Sequence, residues 1–174
     1  LFALLVSSTL FAQTPSYVPT DGLVGWWPFT GNAEDESGNG HNGSVNAAVL
    51  VNDRFGTTSS AYSFNGSSSN IYMGNIPELA TSASSALSVS IWMNSLSFST
   101  ANTDLFDLRS SDNSGFYIYA NNGAAGVLVG GYFDATGAGG GANGGIISSY
   151  GNLSEWYHFV FVQDITTNIG QLYV

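Results

Sequence analysis

Residues Ala86–Asn94 read Ala-Leu-Ser-Val-Ser-Ile-Trp-Met-Asn, and this strict alternation constrains the fold more than any other feature of the chain. Successive side chains of an extended strand point to opposite faces. Leu87, Val89, Ile91 and Met93 therefore share one face, and Ser88, Ser90, Trp92 and Asn94 share the other. A strand-like run over 156–165 keeps the same period with a heavier load: Trp156, His158, Val160 and Val162 fall on one face, Tyr157, Phe159, Phe161 and Gln163 on the opposite one. A strand that is apolar on both faces is central in its sheet and covered on both sides. Further strand-like runs cover 23–29, 44–51, 61–65, 70–73, 103–109, 115–120, 126–133 and 170–174, separated by Gly, Asn, Ser and Asp clusters that suit turns. No window sustains helical spacing, and glycine is too frequent for long helices. Many short strands at this spacing predict an all-β sandwich or barrel. Residues 136–145, nearly all Gly, Ala and Asn, predict a mobile loop.

Charge narrows the function classes. Only 8% of residues are charged, lysine is absent, Arg54 and Arg109 are the only strong cations, and the formal net charge is −10. Nucleic acid as a partner is excluded, because phosphate binding needs Lys and Arg to release counterions; insertion into or adhesion to an anionic membrane is disfavoured on the same ground. The acidic balance permits a divalent cation, although a solvated acidic surface is its commoner meaning. With no cysteine, disulfides and thiolate metal sites are absent. Residues 1–12, Leu-Phe-Ala-Leu-Leu-Val-Ser-Ser-Thr-Leu-Phe-Ala, read as the apolar region and cleavage end of an export signal without its basic start. They are too short to span a bilayer. A linker over 13–21, with Pro15 and Pro19, then leads into a domain over 22–174. The last residues, Gln171-Leu172-Tyr173-Val174, read as the middle of a strand, so the expectation is a secreted or cell-surface protein cut at both ends.

A family resemblance rests on five blocks in order. Gly22-Leu23-Val24-Gly25-Trp26-Trp27-Pro28-Phe29 precedes Gly31-Asn32-Ala33-Glu34-Asp35-Glu36-Ser37-Gly38-Asn39-Gly40-His41-Asn42-Gly43. Then come Asp53-Arg54-Phe55-Gly56, Ser60-Ala61-Tyr62-Ser63-Phe64-Asn65-Gly66, Leu87-Ser88-Val89-Ser90-Ile91-Trp92, and finally Trp156-Tyr157-His158-Phe159-Val160 running on to Val174. From about Asp21 to the end, this resembles the laminin-G-like domains of bacterial secreted proteins. The resemblance implies a two-sheet antiparallel jelly-roll sandwich of the concanavalin A-like lectin and glucanase type, here truncated at its C-terminus.

Enzymatic chemistry finds little support. Glycoside hydrolysis needs two carboxylates across the scissile bond, and glucanases of this fold carry closely spaced acids on one strand. Glu34, Glu36, Glu78 and Glu155 form no such run, and Asp104 and Asp107, three apart, fall on opposite faces of a regular strand. His158 reads as a core histidine and His41 as a solvated loop residue, and no nucleophile elbow, phosphate loop or zinc-protease motif occurs. Sugar binding demands less: exposed rings for C–H faces, and amides or carboxylates for hydroxyls. Candidates are Trp92, Tyr117, Tyr119 and Tyr132, with Asn121, Asn122 and Asp134 at loops. Calcium favours clustered oxygen ligands, which makes Asp35, in its Gly- and Asn-rich turn, and Asp53 candidates for a structural Ca²⁺. Each of these residues also has an ordinary role as packing or turn anchor. The reading is a non-catalytic module binding a glycan or extracellular surface ligand. The alternatives are an accessory domain of a secreted hydrolase and a structural spacer in an adhesin.

Overall fold

The computed structural model describes residues 14–79, 86–94, 103–108, 115–121, 127–133, 155–164, 166–167 and 169–174. The expected export signal, the glycine-rich stretch at 136–145, Arg109, Asn122 and Asp134 lie outside the described residues. Ten strands are present, with one 3₁₀ turn over Pro77–Leu79 and no α-helix among the described residues. All strand pairs are antiparallel. The chain divides into two compact units, residues 1–74 and 75–174.

The second unit carries the sandwich. β5 (Ala86–Asn94), β9 (Trp156–Asp164) and β10 (Ile169–Tyr173) form one sheet in the order β10-β9-β5. β6 (Thr103–Asp107), β7 (Gly115–Asn121) and β8 (Val127–Phe133) form the other, with β7 central. Cross-strand partners share a face, so Leu87, Val89, Ile91 and Met93 of β5 sit opposite Gln163, Phe161, Phe159 and Tyr157 of β9 on the inward side. Phe161 and Phe159 are buried there, and Phe116 and Ile118 of β7 meet Phe161 from the facing sheet, with the Phe116 and Phe161 rings 5.0 Å apart. Leu172 of β10 and Leu105, Phe106 and Leu108 from the β6 region complete the cluster. The expected all-β, two-sheet antiparallel sandwich is thus formed, with β9 in the middle of its sheet as its two apolar faces require. One inward position is polar: Gln163 is fully buried, its amide nitrogen donates to the Asp164 carbonyl (3.1 Å), and its Oε1 is a buried acceptor with no hydrogen bond.

The first unit holds β1 (Ser44–Asn46) paired with β4 (Asn70–Tyr72), and β2 (Val49–Val51) paired with β3 (Ala61–Ser63). The run expected over 44–51 is split because Ala47 takes a left-handed backbone (φ 52°). Residues 23–29, expected as a strand, join no ladder. Their backbone groups are met instead by a turn-rich segment that follows. The Asn39 side chain donates to the Leu23 and Val24 carbonyls, the Trp26 N–H donates to Asp35 Oδ1, and the Glu36 N–H donates to the Trp26 carbonyl. Phe29, at φ 60°, ends the run and sets its ring edge-on against Tyr62. Gly25 leaves room for the Trp27 ring to fold back over the backbone, since a Cβ there would run into it.

Candidate functional site

Trp92 lies on the outward row of β5, directly opposite His158 of β9. Indole and imidazole stack with centroids 4.9 Å apart and planes 12° from parallel, and Ser90 Oγ shares a 2.8 Å hydrogen bond with His158 Nε2. The imidazole is thereby fixed by a hydrogen bond and backs the indole, which keeps 43% of its surface exposed. His158 is not the core histidine that its aromatic surroundings in sequence suggested. It stands on the outward face, because the inward row of β9 is Tyr157, Phe159, Phe161 and Gln163. The same outward face continues through Val160 and Val162 to Gln171 and Tyr173 of β10. Tyr173 is 52% exposed and its hydroxyl donates to Gln171 Oε1 (2.9 Å). Tyr173 was not among the candidates, since only the β9–β10 register places it on the row that carries Trp92.

The other ring candidates fall on the second sheet. Tyr117 and Tyr119 stack on each other, with centroids 5.5 Å apart, but Tyr117 is only 6% exposed and offers no open ring face. Tyr132 lies opposite Phe116 in the ladder, and Asn121 pairs with Val127 at the end of β7.

The two aspartates of β6 are placed differently from a regular strand. The register slips between Asp104 and Phe106, so that Asp104 faces Tyr119 and Asp107 faces Tyr117. A bulge of this kind inserts one residue. Here Leu105 and Phe106 both pack inward, and the three-residue spacing puts both carboxylates on one outward row rather than on opposite faces. Both are exposed.

Asp35 and Asp53 anchor turns. Asp35 is buried, its Oδ1 accepts the N–H groups of Trp26 and Ser37 (both 2.9 Å), and its Oδ2 accepts that of His41 (3.0 Å). Burial pushes its carboxyl up, but the hydrogen bonds from Ser37, Trp26 and His41 outweigh that and hold it below the ordinary aspartate value. Desolvation pushes the Asp53 carboxyl up, but the N–H groups of Thr57 and Phe55 donating to its Oδ1, the Thr57 side chain and the adjacent Arg54 charge together outweigh it and hold the carboxyl below the ordinary aspartate value. Both Asp35 oxygens and Asp53 Oδ1 face the positive ends of N–H dipoles, and among the described residues no three His, Cys, Asp or Glu side chains gather as a metal group. Asn65 likewise anchors its turn, with Oδ1 accepting the N–H groups of Ser67, Ser68 and Ser69.

Among the described residues no helix is long and apolar enough to cross a membrane. No curated protein and no solved structure matches the chain. A family model described as the concanavalin A-like lectin/glucanases superfamily matches residues 64–174, a range that begins after the first two resembling blocks and takes in both sheets of the sandwich. Matched over more than half its length, with two facing antiparallel sheets in its second unit, the chain belongs to the concanavalin A-like lectin/glucanases superfamily.

Proposed function

We propose that this chain is the carbohydrate-binding or adhesion module of a larger extracellular protein, acting by recognition and without bond cleavage. The observation that carries the reading is the Trp92 indole, held against His158 and left substantially exposed on an outward sheet face that also offers Ser88, Ser90, Asn94 and Gln171. An aromatic face for C–H groups beside hydroxyl and amide partners is what a sugar needs. A glycan array with the full chain tests it. Retention of at least one glycan class, lost in Trp92→Ala while the far-ultraviolet β-sheet spectrum is kept, supports the reading. An empty array, with calcium and with a chelator alike, sinks it.

One observation favours a hydrolytic reading, the shared row of Asp104 and Asp107. The exposed Trp92 ring, backed by His158, makes the recognition reading the stronger one. Reducing-end release from bound glycans, abolished in Asp104→Asn and Asp107→Asn, would reverse that preference.

A further inference from the structure

The outward face of β10-β9-β5 holds a second exposed ring besides Trp92, and the register fixes how far apart the two stand. Trp92 is opposite His158, Tyr173 is opposite Val160, and the two rings are rooted on the two strands that flank β9. Two strand spacings across the sheet and two residues along it place their Cα atoms roughly 12 Å apart. One sugar ring does not bridge that distance, whereas successive residues of an extended chain do. The surface between the rings is formed by Ser90, Val160 and His158, and Gln171 orients the Tyr173 hydroxyl.

Charge selects among glycans. On this face the strand residues include one carboxylate, Asp164, at the far end of β9, and its Oδ1 accepts the Thr166 and Thr167 N–H groups. None of its strand residues is Lys or Arg. The chain as a whole is at −10. A uronate or sulfated glycan would find no Lys or Arg among these strand residues and would approach against the net field, whereas an uncharged one needs only ring faces and hydroxyl partners.

Resting on the carbohydrate reading above, we infer that this face takes an uncharged, extended oligosaccharide laid obliquely across the three strands, with Trp92 and Tyr173 each stacking on a different sugar residue.

Titration calorimetry on the full chain tests this with neutral gluco-, manno- and xylo-oligosaccharides of one to six residues, and with oligogalacturonates as acidic counterparts. The expected result is a rise in affinity of at least tenfold between the disaccharide and the tetrasaccharide of one neutral series. That step should collapse to less than threefold in both Trp92→Ala and Tyr173→Ala. Tyr173→Ala alters an exposed side chain and supplies a second readout should Trp92→Ala fold poorly. Equal affinity for mono- and tetrasaccharide, tighter binding of oligogalacturonate, or an unchanged length step in Tyr173→Ala overturns this inference and leaves the carbohydrate reading standing. No binding by any neutral or acidic member overturns both.

Discussion

Residues 23–43 and the β5–β9–β10 sheet solve one problem in two ways. In the sheet, backbone polar groups are satisfied by a regular antiparallel ladder, and the apolar rows of Leu87, Val89, Ile91, Phe159 and Phe161 provide the burial. In 23–43 no ladder forms; the side chains of Asp35, Asn39 and Asn42 replace the missing strand partner. Asp35 takes the place of a backbone carbonyl opposite Trp26, and the reciprocal bond from the Glu36 N–H to the Trp26 carbonyl makes the pair resemble one rung of a sheet. A ladder spreads its stability over many equivalent bonds. A side-chain scaffold concentrates it in a few atoms, one of which titrates.

The largest expected effect is on the sheet. Phe161→Ala opens a cavity beside Phe116 and should cost about 3–5 kcal/mol, read as a lowered denaturant midpoint and as lost amide protection in β5, β9 and β10. Wild-type protection there in the variant would show that burial at Phe161 does not hold the sheet.

Next comes Asp35→Asn, which turns one acceptor oxygen into a donor facing N–H groups. A loss of about 2–3 kcal/mol follows from stranding such buried groups, with faster amide exchange confined to Trp26, Ser37 and His41. The same carboxyl predicts the pH response. Asp35, Asp53 and Asp164 are all lowered in the folded state, from the ordinary 3.8, so what they contribute is fully present above that value and is lost as pH falls through their folded values. The thermal midpoint should be level near neutrality and drop in the acid range. Asp35→Asn should flatten part of that drop, and an identical acid slope in the variant would remove Asp35 from the account.

A smaller effect is expected from Gly25→Ala, whose methyl group meets the Trp27 ring. About 1–3 kcal/mol of overpacking should appear together with a changed near-ultraviolet tryptophan signal, and neither would appear if the ring swings away without cost. Smallest is Trp92→Ala, where a half-exposed cross-strand pair is worth about 0.2–1 kcal/mol. A far larger loss of stability would make Trp92 a structural member of the sheet.

Legibility in the sequence follows the same division. Alternation alone assigned β5 its bounds and its apolar row, and β9 its bounds to within a residue and its central place, but it left open which row of β9 turns to the core, and His158 falls on the other row from the one expected. It failed at 23–29, where the apolar content of Trp26, Trp27 and Phe29 suits a strand but the hydrogen-bond partners come from a turn. It failed again at Asp104 and Asp107, since nothing in Thr-Asp-Leu-Phe-Asp marks Leu105 as an extra residue. For the candidate site, Trp92 was readable as an outward ring. Its pairing with His158 and the approach of Tyr173 were not, because register between distant strands is set by packing and turns rather than by either segment alone.

The slip at Leu105 has a consequence for how β6 tolerates change in length. Without that residue, Asp-Phe-Asp would alternate regularly and both aspartates would still look outward, with Phe106 still inward. Removing this residue would straighten the strand and leave its acidic edge aimed as before, at the cost of the packing that Leu105 gives both apolar clusters.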